Sequence, residues 1–417
     1  MGCDMIKMAL YKAKRPYHFM KTGVLNGWRA QMQLGFPEKN IIVLAVTGTD
    51  GKTTSATMLY EVLKAAGKKV ALLTTVAAYI GDEAIDTGFH VTSPQPRDLL
   101  TFIKRMEQEG YDTLVLEVTS HGLYQYRTWG ITPRVAGITN LTHEHLDYHL
   151  KLDEYAKAKS LILSSAQTAV LNADDEQYKL VKKYVRSKRV QTYSMDTELP
   201  LSIKTAIATR FPEPFNQLNA RLVYSMAREV GVHDEQYIKG ITQFTGIPGR
   251  VEKISVKKPY QVYVDFAHTP NGLKHILSHL RQPSITKGKL ICIVGCASKR
   301  DTSKRPIMGQ IAASGADIAI FTAEDPREED VWSIIRQMKE NLGKNYRNVI
   351  SIADRGEAIA FAMNTLAQKG DTIVVCGKGH EQSMCYGRAE YPWNDADAIR
   401  SIASGTLVYS NPEKRNE

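Results

Sequence analysis

Val46-Thr47-Gly48-Thr49-Asp50-Gly51-Lys52-Thr53-Thr54 stands where an apolar run ends and a helical pattern begins. Glycines there let the backbone curl so that successive N–H groups face phosphate oxygens, and a helix N-terminus adds partial positive charge. Lys52 can reach β- and γ-phosphates, and the Thr53 hydroxyl can ligate Mg²⁺. The pattern is a shortened GxxGKT rather than the longer GxxxxGK[ST]. Glu117, in Leu116-Glu117-Val118-Thr119-Ser120-His121, ends a second apolar run. A carboxylate beside a phosphate loop suits Mg²⁺. Thr139-Asn140-Leu141-Thr142-His143-Glu144-His145-Leu146-Asp147-Tyr148-His149 follows a third run. Three histidines and two acids could look like a zinc site, but cysteine partners and the HExxH spacing are missing.

These groups need a scaffold, and the pattern supplies one. From Ile41 short β-rich runs alternate with helical stretches: strands at Ile41–Val46, Val70–Thr74, Thr113–Val118 and Val135–Thr139, helices at Thr53–Ala66, Pro96–Gly110 and Leu152–Ser165. That rhythm predicts an α/β fold with a parallel sheet covered on both faces. It breaks at the basic run Lys182–Arg189, then a helix follows from about Asn216 to Val230. Ile247-Pro248-Gly249 reads as a turn and a domain linker. Beyond it come strands Gln261–Asp265, Leu290–Gly295, Ile318–Thr322 and Thr372–Cys376, with helices between them. The expected organisation is a basic arm (1–40), a central phosphate-loop domain (41–246) and a Rossmann-like C-terminal α/β domain (247–417).

The chain has 417 residues, 43% apolar and 24% charged, with net charge +10. This is globular composition, and no apolar run is long enough to cross a membrane. The positive balance favours anionic partners. No nucleic-acid motif accompanies it. Five cysteines in so long a chain fit a reducing, cytoplasmic setting rather than a disulfide scaffold. Residues 1–40 carry seven Lys/Arg against two acids.

The three segments together resemble the Mur ligase family, ATP-dependent amide-bond synthetases of cell-wall precursor assembly. The branch they resemble most is the UDP-N-acetylmuramoyl-tripeptide synthetase (MurE-like) one. Further ordered motifs carry the resemblance: Thr92-Ser93-Pro94, Gln125 and Arg127, Tyr155–Lys159, Leu171–Asp175, Phe215–Asn219, Pro248–Glu252, Val264–Pro270, Gly295–Gly309, Glu324–Glu329 and Gly377–Glu381. It implies a central P-loop-type ATPase domain and a C-terminal domain for nucleotide and amino acid. By position it puts Gly48, Thr49, Asp50, Gly51, Lys52, Thr53, Thr54, Asn140, Asn219, Arg250, Asp265 and His268 around ATP. It puts Thr53, Glu117, His145 and Lys159 around Mg²⁺, with Lys159 carbamylated by CO₂, and makes Lys52, Lys159, Glu117 and His145 the catalytic set. Thr92, Ser93, Thr119, Gln125 and Arg127 match acceptor contacts. Arg300, Asp325, Arg327, Gly377 and Glu381 match contacts to the incoming amino acid.

The implied reaction adds an amino acid to a muramoyl-L-alanyl-D-glutamate acceptor through an acyl phosphate. The alternatives are the same chemistry on another acceptor, as in folylpolyglutamate synthetases, or a non-catalytic ATP-binding subunit. Departures matter here. Phe266 replaces a usual Tyr, Thr119 a usual Ser, and Glu324-Asp325-Pro326-Arg327 an Asp-Asn-Pro-Arg motif. Arg327 favours meso-diaminopimelate, whose distal carboxylate a guanidinium grips in bidentate fashion, over L-lysine. Asp325 offers an anion that could suit an ammonium. The family usually begins with a UDP-anchoring domain, and the resemblance starts near Ile41, so UDP on the acceptor is left open. A monomer acting on small molecules is expected. Tyr17, Met20, Val24, Trp28 and Met32 recur at near-helical spacing beside Lys21 and Arg29, which predicts either a helix lying on a membrane surface or on the acidic face of a partner, or an arm packed on the central domain.

Overall fold

β1 (Ile42–Thr47) reads Ile-Val-Leu-Ala-Val-Thr and buries every residue after Ile42. A strand apolar on both faces needs cover above and below, which places it inside a parallel sheet. The computed structural model describes residues 11, 13–75, 78–85, 93–142, 146–298, 301–343 and 347–415. The chain divides into two compact units, Met1–Thr245 and Gly246–Glu417.

In the first unit β1 is joined by β2 (Val70–Leu73), β3 (Ala78–Ile80), β4 (Glu83–Ala84), β5 (Thr113–Glu117), β6 (Val135–Ile138), β7 (Thr168–Asn172) and β8 (Arg189–Tyr193). Their spatial order is β4-β3-β2-β5-β1-β6-β7-β8. β3 and β4 pair antiparallel at one edge, and the other strands run parallel. From β1 the chain returns through helix Lys52–Ala65 to β2 on one side. From β6 it returns through helix Leu152–Ser165 to β7 on the other. Adjacent strands whose connections leave in opposite directions open a crevice at their carboxyl ends, where ligands bind in such sheets. The crevice therefore lies between the residues after Thr47 and those after Ile138.

The helices follow from their spacing. Helix Pro96–Gln108 starts with proline at its first position and buries Leu99, Leu100, Phe102, Ile103 and Met106, a one-sided stripe. Each such side chain contributes about 1.5–3 kcal/mol on burial. Helices Pro214–Arg228 and Asp234–Gln243 pack against helix Lys52–Ala65. Gly240 touches Val62 so closely that an added Cβ would overlap its backbone.

The arm is helical through Leu34, with a π-helical stretch at Phe19–Gly27. Gly23 and Gly27 press on the Trp129 indole, each leaving room for a Cβ only 2.6 Å from the ring. The Tyr11 ring stacks on Tyr124 with centroids 4.5 Å apart. The expected packing of the arm on the central domain is thus found for one of its faces.

Two elements lie where the rhythm was expected to stop: β8 and helix Leu201–Arg210. β8 is an edge strand with only Tyr193 buried, so backbone pairing to β7 forms it without an apolar alternation.

In the second unit β9 (Glu252–Ile254), β10 (Gln261–Asp265), β11 (Leu290–Val294), β12 (Ile318–Phe321), β13 (Val349–Ser351) and β14 (Thr372–Cys376) are ordered β13-β12-β11-β14-β10-β9. All pair parallel except antiparallel β9. β15 (Ser383–Tyr386) and β16 (Ala389–Pro392) form a hairpin. A fully buried Arg355–Asp395 pair pins this unit: both Arg355 Nε and Nη2 donate to the carboxylate at 2.7 Å, and Nη2 also donates to Cys376 O at the end of β14.

Candidate active site

The loop after β1 turns through Gly48 (φ 147°) and Gly51 (φ 78°). Both angles favour glycine, and the surroundings require it as well. A Cβ on Gly48 would overlap the Thr139 hydroxyl, and one on Gly51 would stand 2.6 Å from Asn219 Oδ1. Asn140 braces the loop from across the crevice. Its Oδ1 accepts from Thr49 N at 3.2 Å and Asp50 N at 2.9 Å. Thr139 Oγ1 donates to Asp50 O at 2.6 Å, and Thr142 N donates to Thr49 Oγ1 at 3.0 Å. Lys52 Nζ donates to Thr49 O at 2.7 Å. The carbonyls and hydroxyls of the loop are tied from outside, so its shape is set before any ligand arrives.

Thr53 and Glu117 are both buried and joined, Oγ1 donating to Oε2 at 2.9 Å. Thr75 holds the same carboxylate through its hydroxyl at 2.9 Å and its amide at 3.2 Å. Lys159 is buried, 1% exposed. Its Nζ donates to Gly48 O and sits 4.5 Å from the Tyr155 ring centroid. A hydroxyl and a carboxylate held together at the end of a strand are hard oxygen donors, which fits Mg²⁺. His145 lies outside the described residues, and so do Thr92 and Arg300. Among the described residues no three of His, Cys, Asp and Glu gather into a metal cluster.

A second network lies beside this crevice. Thr119 caps helix Ser120–Tyr124, its Oγ1 accepting from Gly122 N at 3.2 Å. Ser93 Oγ and Thr119 Oγ1 are 3.1 Å apart. Arg127 donates to Ser93 O at 3.0 Å and to Gln125 Oε1 at 2.9 Å, while Gln125 donates to Tyr148 OH at 3.0 Å. Burial pulls the Arg127 guanidinium below its ordinary range. The structure thus brings Ser93, Thr119, Gln125 and Arg127 into one connected group. Sequence reasoning did not name Thr75, gave no role of their own to Thr139 and Tyr155 inside their motifs, and took His149 only as one of three histidines weighed against zinc. His149 is fully buried between Tyr11 OH (2.8 Å) and Ser120 Oγ (3.0 Å). Each makes its contact across a long stretch of chain, which no local pattern signals.

In the second unit Asp265 closes β10, accepting from Val251 N at 2.7 Å and Ala267 N at 2.8 Å. Phe266 packs with His268 (4.5 Å) and His380 (5.1 Å), and the Arg250 guanidinium lies 4.4 Å from its ring centroid. Burial, then the neighbouring cations Arg250, His268 and Lys378, push the His380 imidazole down to about 3.

Asp325 faces inward to Lys378, 1% exposed, at 2.8 Å, and accepts from Cys385 N at 2.9 Å. Lys378 also pairs with Glu381 at 2.5 Å. The carboxylate expected to meet an ammonium from outside is therefore already engaged by one from inside. Arg327 (φ 52°) donates its amide to Cys385 O at 3.0 Å, tying the motif to the β15 hairpin. Glu324, named in its motif but given no role from sequence, is buried, and its Oε2 has no hydrogen-bond partner. It points at Gly377 (φ 108°), where a Cβ would overlap that oxygen. Burial pushes its carboxyl up to about 7 against the pull of Lys304, Arg355 and His268. A buried acid of this kind would be stabilised by a cationic ligand.

The geometry has counterparts among known proteins. Residues 46–220 match the Mur ligase middle domain, and residues 249–379 match the Mur ligase, glutamate ligase domain. A UDP-N-acetylmuramoyl-L-alanyl-D-glutamate--2,6-diaminopimelate ligase of Clostridium botulinum is 36% identical over 389 residues, covering 88% of this chain and 79% of its own. A solved structure of a ligase with the same description superposes with a TM-score of 0.58 at 28% identity, covering 90% of this chain and 82% of the other. A Yersinia pestis bifunctional folylpolyglutamate synthase/dihydrofolate synthase, complexed with AMPPNP and a Mn ion, shares the fold (TM-score 0.63, 18% identity, covering 84% and 90%).

Proposed function

The chain belongs to the Mur ligase family, and from that premise we propose that it is an ATP-dependent ligase joining meso-diaminopimelate to the D-glutamate of a muramoyl-L-alanyl-D-glutamate acceptor, a step of peptidoglycan precursor synthesis. The observation that carries the reading is the braced Gly48–Lys52 loop with Thr53 and Glu117 joined behind it. ATP transfers its γ-phosphoryl group to the substrate carboxylate, giving an acyl phosphate and ADP. The amine of the incoming amino acid then attacks the acyl carbon, and phosphate leaves as the amide forms.

The loop amides and Lys52 hold the triphosphate and stabilise charge on the phosphoryl group in flight. Thr53 and Glu117, with His145 and the Lys159 carbamate that the family resemblance implies, would hold Mg²⁺, which would supply Lewis-acid charge neutralisation. Lys159 gains a carbamate when its neutral amine adds to CO₂ and loses a proton. The buried cation thereby becomes an oxygen-bearing anion. In the first unit Asn219, beside Gly51, serves the nucleotide; in the second, Arg250, Asp265 and His268 match the family's nucleotide contacts. Ser93, Thr119, Gln125 and Arg127, with Thr92, hold the acceptor. Arg327 meets the distal carboxylate of the amino acid, Glu324 its ammonium, and Asp325, Lys378, Glu381 and Gly377 shape the pocket; Arg300 matches a further amino-acid contact of the family. The four described cysteines form no disulfide, which supports a reducing, cytoplasmic location.

Release of ADP, measured with the muramoyl dipeptide in free and UDP-linked forms, tests this. Meso-diaminopimelate should stimulate release at least tenfold more than L-lysine. Stimulation by a folate and glutamate pair instead, with none from either muramoyl acceptor, would replace the acceptor class proposed here.

A further inference from the structure

The N-terminal helix packs with one face only. Thr22, Gly23, Gly27, Ala30 and Gln31 are buried, and the opposite face exposes Tyr17 (55%), Met20 (52%), Leu25 (46%), Trp28 (53%) and Met32 (55%). Among the described residues twelve large apolar side chains are exposed, and six of them lie between positions 17 and 32. This concentration cannot be ordinary surface scatter. The π-helical stretch explains how the ridge is made. Met20 and Leu25 are five apart, the spacing of the π-helical i→i+5 hydrogen bond, and both are exposed, while Val24, the residue expected from α-helical spacing, is half-buried.

Charge follows the same face. Lys14, Lys21 and Arg29 are exposed along it, and no Asp or Glu occurs in the sequence between Asp4 and Glu38. We infer that this helix lies flat on an anionic lipid surface, with Leu25, Trp28, Met20 and Met32 in the acyl boundary and Lys14, Lys21 and Arg29 against the headgroups. Trp and Tyr favour that boundary, and a basic amphipathic helix in the plane of the interface binds through both terms. A second copy of the chain is a poorer occupant. A two-fold contact through this ridge would set the patch carrying Lys14, Lys21 and Arg29, in a stretch with no acid between Asp4 and Glu38, against the same cationic patch of the copy.

Flotation of the full chain on vesicles tests the inference without reference to catalysis. The chain should float with phosphatidylglycerol-containing vesicles, float poorly with pure phosphatidylcholine, and detach in high salt. The pair Leu25→Asp with Trp28→Asp should abolish flotation. The set Lys14→Gln, Lys21→Gln and Arg29→Gln should weaken binding by about fivefold per charge. All five positions are exposed, so vesicle-free ADP release should be unchanged and would confirm folding. A wild-type chain that stays unbound with both vesicle types would overturn the inference. Flotation indifferent to every substitution would do the same, as would a dimer in light scattering that Trp28→Asp dissociates.

Discussion

Two buried side chains, one in each unit, each have a measurable consequence. Glu324 has its carboxyl raised by burial from an ordinary value of 4.5 to about 7. A raised pKa means that folding favours the protonated form. The stability it contributes is full below pH 4.5 and is lost as pH rises through 7. The loss is on the order of 3 kcal/mol if no ligand compensates. The melting temperature should therefore fall from pH 5 to pH 8, and Glu324→Gln should flatten that slope. An unchanged slope in the variant would mean that some other group titrates. Lys159 is the second case. If its buried amine works as a carbamate, activity should drop in CO₂-depleted buffer and return with bicarbonate. Lys159→Ala should lose on the order of a hundredfold in kcat, as removal of a charge-stabilising group does, and should ignore bicarbonate. A wild type indifferent to bicarbonate would leave Lys159 as a structural lysine under Gly48.

At the scale of elements, what a residue pattern reveals depends on where its partners are. The loop 48–54 was legible because its strand, its glycines and its helix are contiguous, and so was the α/β class, carried by runs such as Ile42–Thr47 and Leu290–Val294. β8 was not, because an edge strand shows no apolar alternation. The brace on the loop was half-legible. Asn140 was expected near ATP, but the Thr139 hydroxyl on Asp50 O spans 89 positions and leaves no local trace. Helix Lys52–Ala65, which delivers Lys52 and Thr53, is itself seated by a contact of this hidden kind, Gly240 against the Val62 backbone. Gly240→Ala should push helix Asp234–Gln243 off helix Lys52–Ala65. Overpacking of this sort costs about 1–3 kcal/mol, and it should raise the KM for ATP because the helix start moves with it. Thermal melts and ATP titrations of the variant check both effects. A variant with wild-type stability and KM would show that the two helices adjust independently.

On the scale of the whole molecule the net charge of +10 acts on the two anionic substrates of the proposed reaction, ATP and the acceptor, while diaminopimelate, with two carboxylates and two ammonium groups, is net neutral near pH 7. Long-range attraction of this kind accelerates encounter and is screened by salt. The Debye length shrinks from about 10 Å at 0.1 M to about 3 Å at 1 M. The groups proposed to handle the phosphoryl transfer differ in exposure from the surface charge. Thr53, Glu117 and Lys159 are buried, and the loop is held by short neutral hydrogen bonds, so salt reaches them little. Rising ionic strength should therefore lower kcat/KM for ATP and acceptor, on the order of tenfold between 0.02 and 0.5 M, while kcat at saturation stays nearly constant. An uncharged solute at matched osmolality should leave both unchanged. If kcat collapsed with salt while KM held, the charge that matters would be at the reacting centre rather than spread over the surface.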